Sequence, residues 1–447
     1  MIVLKKNKKK PIILFMCSPS LGALDSWLSV LRVLKNISPN VYFIFLSGKE
    51  NFMNQVFLES EIIKKSDGIF DLIVFRSDSG LLLGAETFGK AIKLHKNSRI
   101  KIFHYSRRIM RKLKLNLLYK ILCVIYENFI KIMYRNSLFN IKSLEALRYT
   151  SLLDISELMK DYTSDLYSTI VRSENYSLLH GTGIHGVEDY STNEIKKSCQ
   201  SINTKNTIAY LFSKKEIPFY ENYFHLTPRQ MRVYGVPKHE AQWINNFDRK
   251  KNLDKNKYIF IISRPVNEHI IKTRRLEFLK MIKKIAIKYQ FSVVIKLHPT
   301  ENDSNLYNQI FESGEQKINW KLSNNHPLSL DKNCELAISY YSGVPLDLLH
   351  LGIPTIELSN FVGINHDDHK KSLRNSRGEA VREYRYLNLV LGASSYDELE
   401  KHVIEILKNK EEVLEKLKSN YSKYFPLTRD VNNIIASEIR NNLIKIN

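Results

Sequence analysis

Cysteine is scarce in this chain. Four residues in 447, Cys17, Cys123, Cys199 and Cys334, lie far apart and without paired spacing. They read as reduced thiols of a cytosolic protein, not as a disulfide framework. No apolar run reaches the ~20 residues that a membrane span needs. Pro11 to Met16, behind the basic stretch Lys5 to Lys10, is too short for a secretory signal, and no small-residue cleavage site follows it, so a cytoplasmic location is expected. There is no Walker loop, no Gly-x-Ser-x-Gly elbow and no dinucleotide glycine fingerprint, which argues against P-loop, hydrolase-elbow and NAD chemistry. The nearest approach to a metal set is His366, Asp367, Asp368 and His369. Adjacent loop residues point in different directions, so a solvated turn is expected there, with no metal and no cofactor.

Acidic residues are also short relative to basic ones. Lys and Arg number 68 against 46 Asp and Glu, a net charge of +22. Such an excess suits a polyanionic partner: nucleic acid, an anionic membrane or an acidic glycan. No helix-turn-helix, zinc-finger or RNP-like aromatic pattern accompanies it, so nucleic acid is set aside.

The length predicts two domains of about 200 residues. Apolar strands at Ile12 to Cys17, Val41 to Leu46 and Phe70 to Phe75 alternate with helical patterns such as Leu24 to Lys35. After the polar stretch Asn246 to Lys257 the alternation restarts with Tyr258 to Ile262, Phe291 to Leu297, Glu335 to Ser339 and Thr355 to Leu358. Short apolar runs separated by helices indicate parallel sheets covered on both faces. The expected fold is therefore α/β, with two Rossmann-like domains facing across a cleft: residues 1–245, residues 257–429, and a C-terminal helix over 430–447. Residues 99–148 carry Arg107, Arg108, Arg111, Lys112, Lys114, Lys120, Lys131 and Arg135 among many Leu and Ile, against Glu127 and Glu145. The segment reads either as a core-facing helix with a solvated basic face or as a helix docking on an anionic leaflet.

In open parallel sheets, ligands bind beyond the carboxyl ends of the strands. Three motifs fall there. Lys296-Leu297-His298-Pro299 ends one strand, and Pro299 restricts the turn that presents His298. Ser339-Tyr340-Tyr341-Ser342-Gly343-Val344-Pro345-Leu346-Asp347 ends another, with Pro345 suited to a first helical turn. Ser339, Ser342 and Gly343 are candidate phosphate contacts, Asp347 a candidate ribose contact, and Arg264, after Tyr258 to Ile262, a further phosphate contact. In the first half, His180-Gly181-Thr182-Gly183 follows an apolar strand. His180 is the candidate general base, and His185, Glu188 and Asp189 are close enough to replace or orient it.

These motifs resemble a known group. A pair of such domains, with the donor site in the C-terminal one, is similar to the GT-B glycosyltransferase fold, and Arg232-Val233-Tyr234-Gly235-Val236-Pro237 is similar to a closure recurrent there. His298-Pro299 and the Ser339 to Ser342 element resemble those of bacterial sialyl-, polysialyl- and Kdo-transferases, where they hold the cytidine monophosphate moiety. His180-Gly181-Thr182 and Asp189 resemble the His-Gly-Thr element of CDP-glycerol glycerophosphotransferases. The sequence departs from both: Leu179-His180 stand where the former have paired acidic residues, and Gly183-Ile184-His185 where the latter have proline and lysine. The resemblance implies a glycosyltransferase of capsule or lipopolysaccharide-type surface polysaccharide synthesis. It would move a sialic-acid-like or Kdo-like sugar from a CMP donor to a lipid-linked or glycan acceptor, at the inner face of the cytoplasmic membrane. A CDP-glycerol-type polyol-phosphate transferase, a UDP- or GDP-sugar transferase, a nucleotide-sugar epimerase and a non-catalytic peripheral scaffold stand as alternatives.

Overall fold

The structure, a computed structural model, describes residues 10–17, 21–47, 60–77, 81–98, 109–110, 112–114, 116–140, 149–154, 174–179, 204–249, 254–267, 269–298, 301, 305–312, 318–365, 367–370 and 372–446. Eight strands form a first sheet: β1 (Ile12–Met16), β2 (Tyr42–Ser47), β3 (Leu72–Arg76), β4 (Leu82–Ala85), β5 (Tyr149–Leu153), β6 (Glu174–Leu178), β7 (Thr207–Leu211) and β8 (Met231–Val233). Their order is β4-β3-β2-β1-β5-β6-β7-β8, with β4 alone antiparallel to its neighbour. Six parallel strands form the second: β9 (Tyr258–Ile262), β10 (Ser292–Lys296), β11 (Trp320–Leu322), β12 (Cys334–Ser339), β13 (Thr355–Leu358) and β14 (Leu391–Ala393), in the order β11-β10-β9-β12-β13-β14. The main helices are α1 (Gly22–Ile37), α2 (Asn116–Met133), α3 (Lys272–Lys288), α4 (Val344–His350), α5 (Tyr396–Tyr424) and α6 (Val431–Ile446).

β1 and β9 are apolar at every position because helices cover both faces of each sheet, and every residue of both strands is buried. Each large side chain there contributes roughly 1.5–3 kcal/mol by leaving water. In both sheets the chain order reverses beside the first strand, between β1 and β5 and between β9 and β12. Open sheets form their ligand crevices at such reversals.

The register of the second sheet then does the positioning. Ile262 lies opposite Lys296 on one side and Ser339 on the other. The segments that follow, carrying Arg264, His298 and Tyr341, leave the sheet at one edge.

The C-terminal helix α6 returns to pack on α1 of the first domain. Where the chain passes from the first domain towards the second, Gly235 has φ +89°, and a Cβ there would lie 2.6 Å from the carbonyl oxygen of Pro426. Only glycine permits this crossing.

The described part of the basic segment departs from an ordinary core helix. Helix α2 buries Tyr126 but leaves Leu117, Leu118, Ile121, Val124, Ile125, Ile132 and Met133 exposed. Among the described residues no helix is long and apolar enough to cross a membrane.

Candidate functional site

Two clusters of charge lie near the strand ends. The first bridges the two domains. Lys238, three residues beyond Gly235, is 3% exposed. Its ammonium donates to Asp25 of α1 at 3.0 Å and to Asp347 of α4 at 2.8 Å. His239 Nε2 is 2.8 Å from the other oxygen of Asp347, and its Nδ1 is 2.9 Å from the Tyr421 hydroxyl. His326 accepts from the Leu328 N–H at Nδ1, so its Nε2 carries the proton it gives to Asp25 at 3.0 Å. Burial alone would raise both carboxyl groups. Lys238 and the histidines outweigh it and hold Asp25 and Asp347 below the ordinary carboxylate range. Burial likewise opposes the charge on Lys238, and the two carboxylates override it and raise its value. Burial keeps His239 below its usual value despite Asp347, and pushes neighbouring His350 down to about 3.

Asp347 therefore departs from the expected ribose contact. It is 1% exposed, and its two oxygens are taken by Lys238 and His239.

The second cluster sits at the carboxyl ends of β9, β10 and β12. Arg264 donates from Nε to the Tyr341 carbonyl at 2.9 Å, and its guanidinium lies 4.7 Å from the Tyr341 ring centroid. Arg382 lies over the same ring at 4.9 Å and over Phe361 at 5.2 Å. Arg382 pairs with Asp367, which also contacts His269 at 3.0 Å. Arg264 has no carboxylate partner among the described residues. Burial, and then the neighbouring Arg382 charge, lower its affinity for its own proton. His298 feels burial first and the Arg264 charge second, and is pushed down to about 4. At neutral pH it is an uncharged imidazole beside an undercompensated cation.

A buried support holds His298 in place. The backbone N–H of Glu301 donates to the His298 carbonyl at 2.8 Å. The Glu301 carboxylate accepts from Ser263 at 2.6 Å, from the Tyr307 hydroxyl at 3.0 Å, and from Arg275 of α3. Ser263 immediately precedes Arg264, so this support ties the turns after β9 and β10 together.

Of the other expected contacts, Ser342 is half-buried and its hydroxyl accepts from the Val344 N–H at 3.3 Å, while Gly343 precedes α4. Ser339 is buried at the end of β12. His180, His185, Glu188, Asp189 and Pro299 lie outside the described residues. Asp367 departs from the expected solvated turn, since it is buried and paired with Arg382. No group of three metal-ligating side chains occurs among the described residues.

The reading by motif missed Arg382, His269, Glu301, Arg275 and Lys238. A signal existed for Arg275, which shares the i, i+3, i+4, i+7 stripe with Phe278, Leu279 and Ile282 of α3.

No family model matches the chain, and no curated protein matches it. Solved structures do. A Listeria monocytogenes protein assigned as a UDP-N-acetylglucosamine 2-epimerase superposes with a TM-score of 0.56 at 11% identity, over 97% of this chain and 96% of that one. The Neisseria meningitidis UDP-GlcNAc 2-epimerase bound to UDP-GlcNAc gives 0.50 at 13% identity, over 98% and 100%. A variant of the wall teichoic acid polymerase TagF soaked with CDPG gives 0.50 at 11% identity, over 98% and 90%. The fold is of the GT-B type. At these identities the likeness concerns the fold alone. Within that GT-B frame, the Arg264 cluster lies at the carboxyl ends of β9, β10 and β12 in the second domain.

Proposed function

We propose that this chain is a transferase using a nucleotide-activated donor. The donor phosphates sit between Arg264, Arg382 and His298, and the acceptor is a surface-polysaccharide glycan or its lipid-linked precursor. The observation that carries this reading is Arg264, a largely buried guanidinium at a sheet switch point with a second guanidinium beside it and, among the described residues, no carboxylate of its own. An isolated buried cation is costly, and an anionic ligand offsets that cost. Neutral His298 donates a hydrogen bond to the departing phosphate, and two fixed guanidiniums stabilise the charge that develops there. His180, which follows β6 in the sequence, remains the proposed base that deprotonates the acceptor hydroxyl, with Asp189, His185 or Glu188 as its partner or replacement.

Two guanidiniums over one ring suit two phosphates better than one. This favours a nucleoside diphosphate donor, such as a CDP-polyol or a UDP- or GDP-sugar, over the CMP-sugar of the sialyl- and Kdo-transferases. The solved structures of similar fold hold UDP-GlcNAc and CDPG.

Helix α2 supplies the route to a lipid-linked acceptor. Its exposed Leu117, Ile121, Val124 and Ile132 are accompanied by Lys112, Lys114, Lys120, Lys131 and Arg135, the composition of a helix that lies on an anionic bilayer. Co-sedimentation with phosphatidylglycerol vesicles, lost on replacing Ile121 and Val124 by serine, is the expected result. Equal sedimentation with neutral phosphatidylcholine vesicles counts against the electrostatic part.

The deciding experiment is thermal-shift binding of CMP, CDP, UDP and GDP to the full chain and to Arg264→Ala. A ligand that binds only the native state raises its stability. Stabilisation by the diphosphates, lost in Arg264→Ala, is expected. Stabilisation by CMP alone returns the reading to a CMP-sugar donor. Turnover of a nucleotide sugar without any acceptor points to an epimerase. No response to any nucleotide leaves a scaffold that keeps the fold without the chemistry.

A further inference from the structure

We propose that a groove between edge strand β8 and the C-terminal helix α6 is a second saccharide site, built for a neutral oligosaccharide. Its volume is about 690 Å³, within the range of small-molecule sites (~300–1,000 Å³). Tyr234, Arg232, Asn433, Glu438, Asn441 and Asn442 are among the residues that line it. None of them belongs to the Arg264 cluster, so the proposal does not rest on the donor reading.

An aromatic ladder lies behind the groove and reaches it at Tyr234. Tyr210 lies opposite Arg232 in the sheet register, and Tyr234, two residues further on, shares that face. Tyr176 stacks on Tyr210 at 6.1 Å and 11°, and Tyr210 stacks on Tyr234 at 6.0 Å and 26°. Tyr234 is the outermost rung, half-buried, and borders the groove. A ring fixed by two others behind it is a rigid platform for the C–H face of a sugar, and its hydroxyl is a polar tip.

The wall is α6. Asn442 donates to the Tyr176 hydroxyl at 2.6 Å, which anchors the helix to the ladder, while Asn433, Ser437 and Asn441 are exposed along the groove. Each amide offers both a donor and an acceptor, and so does each sugar hydroxyl. Arg232 Nε is 3.4 Å from Glu438, so the one cation and the one anion of the lining balance each other. The groove thus carries no excess positive charge although the chain has a net charge of +22. An anionic ligand would meet Glu438, and an apolar one would strip the amides of water without replacing their hydrogen bonds. A neutral polyhydroxylated ring satisfies the amides and covers Tyr234. The groove holds a glycan chain on the first domain, on the side that α6 closes.

The test is isothermal titration of the full chain with maltotetraose, chitotetraose and, as an acidic control, heparin tetrasaccharide. The variants are Tyr234→Ala, Tyr234→Phe and Ser437→Trp, the last filling the groove from an exposed helix position. At least one neutral tetrasaccharide should bind, at least about tenfold more weakly to Tyr234→Ala and Ser437→Trp, and with little change to Tyr234→Phe. Should Tyr234→Ala fail to fold, Ser437→Trp decides alone. Nucleotide-induced thermal shifts are read on the same samples, and Ser437→Trp should leave them as in the wild type. The proposal is overturned if neither neutral oligosaccharide binds the wild type, if Ser437→Trp binds as well as the wild type, or if the heparin fragment binds more tightly than both neutral sugars.

Discussion

Lys238 and Arg264 are both basic side chains largely withdrawn from water, and they are built on opposite rules. Lys238 has a carboxylate on either side, from Asp25 and Asp347, and each of those is shared with a histidine. Arg264 has a carbonyl, an aromatic ring and another arginine. A buried ion network in which the ammonium and all four carboxylate oxygens have partners within the protein needs nothing from outside, and its loss costs stability. A buried cation left uncancelled is a local debit in the folded chain, one that an anionic ligand removes. The difference separates the joint between the domains from the proposed site at the end of the second sheet, although both lie at strand ends and both contain histidine.

The largest expected effect comes from breaking the closed network. Lys238→Met leaves Asp25 and Asp347 buried without their cation, and should lower unfolding stability by about 3–5 kcal/mol in urea titrations. Its pH dependence follows from the shifts. Asp25 and Asp347 are held below their ordinary values, so their contribution is complete above about pH 4 and is lost as pH falls towards their lower folded values. Lys238 is raised, so its contribution is complete below about pH 10 and is lost only as pH rises through its higher folded value. Wild-type chain should therefore lose stability towards acid more steeply than Lys238→Met.

Arg382→Ala tests the boundary between the two kinds of cluster. Arg382 shares the Tyr341 ring with Arg264 but also neutralises Asp367. Its removal should cost both properties: about 1–3 kcal/mol of stability, from taking the guanidinium away from buried Asp367, and about ten- to a hundredfold in nucleotide affinity. Urea titration and nucleotide calorimetry on one preparation measure the two together.

Arg264→Ala should separate them. Nucleotide affinity should fall by a similar factor, while stability without ligand should stay within about 0.5 kcal/mol of the wild type or rise, because an uncompensated charge has been removed. A loss of stability as large as that of Lys238→Met, with nucleotide binding intact, would make Arg264 a structural residue and remove the basis of the proposed site.

Much of the frame was legible from the chain alone. β1 and β9 are unbroken apolar runs and β10 carries Val293, Val294 and Ile295 at its centre because both sheet faces are covered, and the turns that follow them could be read from their flanking residues. β5 was missed because Thr150 and Ser151 interrupt its apolar pattern, and β8, β11 and β14 because three residues are too few to show a period. Arg264 and His298 were legible because each follows a strand end directly. Arg382, His269 and Asp367 were not, since loops about a hundred residues apart bring them together and no local spacing records it. Asp347 was misread for a related reason. An acidic residue in a first helical turn looks solvent-facing, and only the return of the chain past Gly235 puts Lys238 and His239 against it.

The smallest expected effect belongs to His298, and its sign follows from the same comparison. Burial and Arg264 push its value down to about 4, against about 6.5 in the unfolded chain. Its neutral form therefore favours the native state fully above about pH 6.5, and that contribution is lost as pH falls towards 4. His298→Asn cannot take up a proton, so its stability relative to the wild type should improve between pH 7 and pH 5. A bound phosphate reverses the preference, because it stabilises the imidazolium. Affinity for a nucleotide sugar, whose diester phosphates keep their charge across this range, should rise towards acid in the wild type and stay flat in His298→Asn. In Arg264→Ala the repulsion on His298 is gone, its value moves up in the bound state as well as the free one, and the rise should begin at a higher pH. An onset that is the same with and without Arg264 would mean that the two side chains do not share one anion.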